Sequence, residues 1–213
     1  MKILNIEVLR CKTSAKAFYT PPSLADWRKV VNDRIRIKGM VTVRVLDKDG
    51  NIKRRLPGWF GRLFNLPGRL MEYRHHNIVT REGDALIADA LLASPAKTKV
   101  TSSAGYIQIG TGCTGNSTKT NTRCNTATGN MKALDSGYPA LKAAWGSTGD
   151  TTVTYRATFA AGSLTANGIN EACLLNGNGS SANCLAYAQI TPSVNVTASD
   201  TLQVLWEITL LGQ

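Results

Sequence analysis

Six consecutive residues, Gly110-Thr111-Gly112-Cys113-Thr114-Gly115, have the glycine spacing of dinucleotide-binding loops. In such loops the backbone N–H groups at the start of a helix hold the pyrophosphate, so a helix must follow the glycines directly. Residues 116–130 are instead rich in Thr, Asn, Ser and Gly, without apolar periodicity. We therefore predict a polar loop at this position and no nucleotide cofactor.

Four cysteines could form disulfides in the second half of the chain. Cys113 and Cys124 are separated by the same interval as Cys173 and Cys184, and each pair flanks a polar loop. Zinc sites usually contain Cys-x-x-Cys pairs, which the sequence lacks. Two loop-closing disulfides would each contribute about 3 kcal/mol in the chain-entropy model. Other pairings of the four remain open, and reduced, buried thiols are the alternative.

The two histidines, His75 and His76, could act as a general base or as metal ligands. A strand would place them on opposite faces, and no Cys or further His stands near them in the sequence. The chain also lacks a nucleophile elbow, a Walker loop and a His-Glu-x-x-His pair. We predict a protein that is not an enzyme and that binds no metal or cofactor.

Arginines alternate with aromatic residues in the segment 54–70, which also contains two Leu-Pro-Gly triplets. This composition is typical of protein interfaces, and it also suits stacking on nucleic-acid bases or contact with lipid headgroups. A loop packed on its own domain is a further alternative. We favour a protein interface, to which the following residues are predicted to contribute: Trp27, Arg34, Arg36, Arg54, Arg55, Trp59, Phe60, Arg62, Phe64 and Arg69.

The excess of basic charge lies entirely in the first part of the chain. Through Glu82 there are 18 Lys or Arg against 7 Asp or Glu, and from Gly83 onward there are 7 of each. This split indicates a neutral folded body joined to a part that contacts an acidic partner, such as nucleic acid, a membrane surface or an acidic protein shell. No apolar run approaches the ~20 residues of a membrane-spanning helix, so we predict no membrane span.

The elements that must position these residues fall into three regions. Residues 1–38 are predicted as an extended basic arm, with a short helix over 23–31 that Ser23 can cap. Residues 39–80 are predicted as a β-hairpin region with an Arg/aromatic insertion. In this region a strand over 40–46 and a turn at 47–50 precede a return strand, which residues 55–70 interrupt and which resumes over 71–79.

The third region, residues 81–213, is predicted as an antiparallel β-domain with one helix. The apolar spacing indicates a helix over 80–92, which Thr80 or Asp84 can cap. Strands are predicted at 106–109, 153–159, 184–190 and 201–210, joined by long polar loops such as 110–130 and 176–183. This pattern is typical of a β-sandwich or jelly roll, so the fold class is mainly β.

The order of several short motifs resembles that of virion proteins of tailed bacteriophages. The motifs are His76-Asn77-Ile78-Val79-Thr80-Arg81-Glu82-Gly83 with the helix that follows, Tyr106-Ile107-Gln108-Ile109-Gly110-Thr111-Gly112, Gly168-Ile169-Asn170-Glu171-Ala172, Leu185-Ala186 and Asp200-Thr201-Leu202-Gln203-Val204-Leu205-Trp206-Glu207-Ile208-Thr209. The resemblance covers residues 76–211. It implies a capsid decoration (cement) protein or a small tail component, with a jelly-roll-like and commonly trimeric β-domain. The insertion at 54–70 and the Cys-bearing loops depart from the simple pattern.

From this resemblance we expect a structural protein of the virion, located on the capsid exterior. It would bind the major capsid protein or other virion proteins as a homo-oligomer, a trimer, and would stabilise a phage head. One alternative is a tail, baseplate or fibre component that contacts other tail proteins or the host. Another is a capsid-associated protein whose basic arm binds nucleic acid.

Overall fold

The computed structural model of the protein describes residues 36–55, 68–115, 117–144 and 146–211. They belong to a compact unit that runs over Ile35–Leu211. The predicted helix at 23–31 and most of the predicted arm lie outside the described residues. So do six of the predicted interface residues, Trp27, Arg34, Trp59, Phe60, Arg62 and Phe64.

The described residues form eleven strands and one helix. In chain order these are β1 (Arg36–Leu46), β2 (Arg54–Arg55), β3 (Arg69–Leu70), β4 (Glu72–Val79), α1 (Arg81–Ala90), β5 (Tyr106–Gly110), β6 (Lys132–Ala133), β7 (Ala140–Leu141), β8 (Thr152–Phe159), β9 (Ala166–Leu175), β10 (Cys184–Val196) and β11 (Thr201–Leu211). Nine of these strands form one sheet in the order β6-β5-β9-β10-β4-β1-β11-β8-β7, while β2 and β3 pair with each other. The large sheet is antiparallel and curls into a half-barrel, so the predicted mainly β fold is confirmed.

The predicted strand, turn and return strand at 40–79 are present as β1, a tight turn and β4. Val41, Val43 and Val45 alternate along β1 and are completely buried. In the turn, the Asp47 side chain accepts hydrogen bonds from the N–H groups of Asp49 and Asn51. β1 pairs directly with β4, which confirms the predicted β-hairpin.

Strands from both sides of residue 80 share one hydrophobic core. β1 lies between β4 and β11, and Val41 is opposite both His75 and Trp206. The main core joins the valines of β1 to Leu202, Val204, Trp206 and Ile208 of β11 and to buried residues of β5, β8, β9 and β10. Burial stabilises each such large apolar side chain by about 1.5–3 kcal/mol. The hairpin region therefore belongs to the same folded unit as the strands that follow it.

Helix α1 is fixed at its first turn to the start of β10. The Thr80 hydroxyl caps the helix by accepting the Gly83 N–H at 3.0 Å, and it donates to the carbonyl of Cys184. The Glu82 carboxylate accepts the Cys184 N–H at 2.6 Å, and Leu86 enters the main core. The helix predicted over 80–92 is thus confirmed. Among the described residues, no helix has the length and apolar character needed to cross a bilayer.

Gly83 allows the close approach of α1 to β10, and this leads to a first prediction. A Cβ atom at residue 83 would lie 2.0 Å from the carbonyl oxygen of Leu185. Glycine to alanine in a helix normally stabilises by about 0.5–1 kcal/mol, but here the helix would have to move away from the strand. We expect Gly83→Ala to lower the free energy of unfolding by about 1–3 kcal/mol in urea titrations.

The exposed helical residue Ala85 provides the matched control. Ala85→Gly should lower the stability by no more than about 1 kcal/mol, because only helix propensity changes. If Gly83→Ala were more stable than the parent protein, the close contact between residue 83 and the Leu185 carbonyl would be contradicted.

Candidate functional site

The short strands β2 and β3 form a two-stranded ribbon that displays three arginines, and we call it the arginine ribbon. Arg54 lies opposite Leu70, and Arg55 lies opposite Arg69. All three arginines are exposed. The Arg54 guanidinium donates to the Gly68 carbonyl at 3.1 Å, and among the described residues no carboxylate forms an ion pair with any of the three. The ribbon therefore presents a cluster of uncompensated positive charge.

The base of the arginine ribbon is tied to the large sheet. Backbone hydrogen bonds of 2.8–3.0 Å link Lys53 to Val45 and Met71 and link Met71 to Val45. The Lys53 ammonium also donates to both carboxylate oxygens of Asp200, at 2.7 and 2.8 Å. Because Asp200 lies in the turn between β10 and β11, this ion pair connects the ribbon to a second point of the fold.

Asp200 is almost completely buried and owes its charge to specific partners. Burial alone would raise the pKa of this carboxyl, but hydrogen bonds from Lys53 and from the backbone and hydroxyl of Thr197 lower it to below the usual value. These donors stabilise the carboxylate and therefore the geometry at the base of the ribbon.

Two other arginines of this part of the chain share one carboxylate on the sheet. The Arg44 guanidinium lies 2.6 Å from Glu72, and Arg74 lies 2.9 Å from the other oxygen of the same carboxylate. The hydrogen bond from Arg44 is the largest cause that lowers the pKa of Glu72. One carboxylate thus compensates half of the positive charge here, in contrast to the ribbon.

The structure brings together three of the four described interface candidates. Arg54, Arg55 and Arg69 share the arginine ribbon, which follows the Leu46 end of β1. Arg36 is exposed but begins β1 at its opposite end. At 3.3 Å per residue, the length of β1 separates Arg36 from that end by about 33 Å. Arg36 is therefore not part of the same surface cluster.

A second polar arrangement surrounds Glu171, whose side chain is completely buried in β9. One carboxylate oxygen accepts the N–H groups of Gly112 and Thr126, at 2.9 and 3.0 Å. The other accepts the Asn125 N–H at 2.9 Å and the Tyr187 hydroxyl at 2.6 Å. Burial and the hydrogen bond to Glu171 raise the pKa of Tyr187, so its hydroxyl remains a donor.

This carboxylate holds the polar segment 111–131, which we call the covering loop, against the sheet. Asn170 adds two hydrogen bonds of 3.0 Å to the backbone of Cys113. Under the loop lies a second apolar cluster on the face of β5, β9 and β10 opposite the main core. Its buried members are Cys124, Cys173, Leu175, Cys184 and Tyr187.

The glycine motif at 110–115 has a structural role in this arrangement. Cβ atoms at Gly110 and Gly112 would lie 2.4 and 2.5 Å from the backbone of Thr126. The Gly112 N–H does bind a carboxylate, but that carboxylate is Glu171 of the same chain. The segment after the motif contains no helix among its described residues, as predicted for a polar loop.

The four described cysteines are free thiols in the structure. The sulfur atoms of Cys124 and Cys173 lie 3.1 Å apart, whereas the sequence interval suggested the pairs Cys113 with Cys124 and Cys173 with Cys184. Cys173 also interacts with the Cys184 side chain, so the pairing of the four cysteines stays a prediction. Cys113 is only partly buried and its thiol donates to the Gly115 carbonyl at 2.9 Å.

His75 and His76 lie on opposite faces of β4, as the alternation predicted. His75 is partly buried opposite Val41, and burial lowers its pKa, while His76 is exposed. The buried atoms His75 Nε2, Trp206 Nε1 and both amide atoms of Asn77 have no hydrogen-bond partner. Within the described ranges, no three His, Cys, Asp or Glu residues are arranged to hold a metal ion.

Sequence reasoning missed Glu171, Tyr187 and Asp200 as organising residues. The available signal was Glu171 itself, an acidic residue two positions before Cys173 in a segment that continues as the apolar run Ala172-Cys173-Leu174-Leu175. An acid in such a run needs buried donors, but the sequence does not show which residues supply them.

Comparisons with models of protein families, with curated proteins and with solved structures find no match to this chain.

A second prediction concerns the Glu171 carboxylate. Glu171→Gln keeps the size of the side chain but directs an amide group at backbone N–H donors, which leaves buried donors unpaired. We expect the free energy of unfolding to fall by about 2–4 kcal/mol. Hydrogen exchange should accelerate at the amides of Gly112, Asn125 and Thr126.

The control is Glu207→Gln, which removes a partly exposed carboxylate that lies 2.7 Å from Lys142. That change should cost less than about 1 kcal/mol, because exposed ion pairs contribute little. Equal losses in the two variants would contradict the proposed role of Glu171.

A third prediction concerns pH and Asp200. Because the folded-state pKa lies below the reference value of 3.8, the carboxylate stabilises the fold at pH values above 3.8, and this contribution disappears as the pH falls through the folded-state pKa. We expect Asp200→Asn to lower the stability by about 1–3 kcal/mol at neutral pH. The difference from the parent protein should shrink in urea titrations below about pH 4.

Asp49→Asn, at an exposed turn carboxylate beside Lys48, should change the stability by less than about 0.5 kcal/mol at neutral pH. A stability difference for Asp200→Asn that persists unchanged to about pH 2 would show that the lost charge is not its cause.

Proposed function

We propose that this protein is a non-enzymatic structural component of a virus particle, a decoration protein that binds the exterior of a phage head through its arginine ribbon. The observation that supports this most directly is the cluster of Arg54, Arg55 and Arg69, exposed and without carboxylate partners among the described residues. Arginine forks bind carboxylates in a bidentate manner, so an acidic protein surface is the matching partner.

The way in which the ribbon is built favours a docking element. Its base is held by Lys53, which bridges β1 to Asp200. The backbone that carries the arginines is therefore anchored to the sheet. Preorganised side chains lose less conformational entropy on binding than side chains on a free tether. Residues 56–67, between β2 and β3, contribute Trp59, Phe60, Arg62 and Phe64 to the sequence of the same insertion.

In this proposal the protein stabilises the shell by bridging neighbouring capsid subunits. Each exposed arginine–carboxylate contact is worth only about 0.2–1 kcal/mol. A trimer would present the ribbon three times, and simultaneous attachment can strengthen binding by about 10²–10⁴-fold relative to one contact. The basic arm, predicted over residues 1–38, remains a predicted additional tether, although its last three residues belong to β1.

Two other assignments use the same surface. A tail or baseplate component would use the ribbon against a different virion protein and would be present in few copies per particle. A nucleic-acid-binding role would use the arginines against phosphates, with an affinity that falls steeply with salt. Labelling of intact particles distinguishes a tail component from a head protein. DNA binding at several salt concentrations tests the nucleic-acid-binding role.

A fourth prediction tests the docking role. The variant Arg54→Ala/Arg55→Ala/Arg69→Ala should raise the Kd for purified heads that lack the protein by about tenfold or more, equivalent to at least about 1.4 kcal/mol. Its thermal unfolding should remain close to that of the parent protein, since the three side chains are exposed. Co-sedimentation with heads, quantified at several protein concentrations, gives the Kd.

The matched control removes three positive charges elsewhere, at the exposed residues Lys97, Lys99 and Lys132. This variant has the same net charge, so it should bind heads with nearly unchanged affinity if the ribbon is the docking element. Equal weakening by both variants, or normal binding by the ribbon variant, would contradict the proposal.

A further inference from the structure

We infer that Cys124 and Cys173 are a thiol pair that forms a disulfide under oxidising conditions and thereby fastens the covering loop to β9. The two sulfur atoms are 3.1 Å apart and buried. Two thiols in contact within a packed cluster need only a small displacement to reach bonding distance.

The surroundings of Cys124 hold its side chain over β9. The Gln108 side chain accepts the Cys124 N–H at 3.1 Å, and the Cys124 thiol donates to the Gln108 carbonyl at 3.5 Å. Gln108 is the register partner of Cys173 on the neighbouring strand. The hydrogen bonds that Glu171 receives from Asn125 and Thr126 fix the residues that follow Cys124. The loop thus brings this thiol to the same place each time it folds.

Cys184 is the other buried thiol beside Cys173, and the two side chains interact. Cys184 lies opposite Leu175 on β10, so it is diagonal to Cys173 across two hydrogen-bonded strands. Diagonal neighbours in an antiparallel sheet are about 7–8 Å apart, longer than the Cα separation of ordinary disulfides. Cys124 lies outside the strand ladder, whereas Cys184 is part of it, so a bond from Cys173 to Cys184 would distort two paired strands.

The reaction proceeds by exchange with a small-molecule disulfide such as oxidised glutathione. The Cys124 thiol, 8% exposed against 0% for Cys173, loses its proton and attacks the reagent, which releases one glutathione thiolate. The deprotonated Cys173 sulfur then attacks Cys124 and releases the second thiolate. The two protein thiols lose two protons and two electrons in total, and the reagent is reduced to two thiols.

Burial sets the rate of this exchange. It raises the pKa of both thiols, so little thiolate is present at neutral pH. The reaction should therefore be slow at pH 7 and should accelerate as the pH rises. Once formed, the bond closes a loop across 49 positions of sequence, which restricts the unfolded chain.

A fifth prediction tests the pair in the full-length chain with Cys11→Ser, which leaves the four described cysteines. Incubation with oxidised glutathione should lower the mass by about 2 Da. Non-reducing peptide mapping should then link the peptides that contain Cys124 and Cys173. The Tm should rise by about 10 °C and return to its starting value with dithiothreitol.

Single cysteine variants are the controls, and they identify which two thiols form the bond. Cys113→Ser and Cys184→Ser should still form the bond, while Cys124→Ser should not. If a serine variant fails to fold, the peptide map of the parent chain alone decides the pairing. A map that joins Cys113 to Cys124 or Cys173 to Cys184, or an oxidised protein with an unchanged Tm, would overturn the inference.

Discussion

The buried carboxylate of Glu171 constrains this fold more than any other described polar group. Removing an ionised carboxylate from water costs several kcal/mol unless hydrogen bonds replace the lost hydration. Four donors replace the lost hydration. Three are backbone N–H groups of the covering loop, at Gly112, Asn125 and Thr126, and the fourth is the Tyr187 hydroxyl. The carboxylate can be satisfied only when both ends of the loop lie on the sheet. The loop is consequently ordered by the strand it covers, although its own sequence has no regular pattern.

The covering loop affects the strands and the helix that lie around it. With the loop in place, β5, β9 and β10 are buried on both sides, by the main core on one face and by the second cluster on the other. The start of α1 joins the same assembly, because the Arg81 N–H donates to the Lys119 carbonyl of the loop at 2.8 Å and Glu82 binds the backbone of Cys184. A loop, a helix cap and a strand end thus depend on one another.

The sequence predicted most clearly the strands that have one buried and one exposed face, and it also located β5 and β10, which are covered on both faces. Burial alternates along β11, whereas in β1 Thr42 is buried as well as the two valines beside it, and the turn residues after β1 define its end. The sequence did not predict β9, because its polar residues Asn170 and Glu171 interrupt the apolar pattern and bond to a loop that is distant in the sequence. The cysteine intervals were equally uninformative. Contact between Cys124 and Cys173 arises from the register of β5 with β9 and from the path of the covering loop, neither of which the spacing of cysteines encodes.

The positions of the strands show where in the fold the excess basic charge lies. Residues 36–82 contain 11 Lys or Arg against 4 Asp or Glu, and residues 1–35 contain 7 against 3, so most of the excess lies beyond the first 35 residues. On the sheet, Arg44 and Arg74 share the carboxylate of Glu72, and Asp200 compensates Lys53. The arginine ribbon lacks such compensation among the described residues. Mutual repulsion of adjacent guanidinium groups disfavours this arrangement in isolation, and an acidic partner would relieve it. The ribbon, anchored at Lys53, is therefore a described surface where three adjacent guanidinium groups remain unpaired with any described carboxylate.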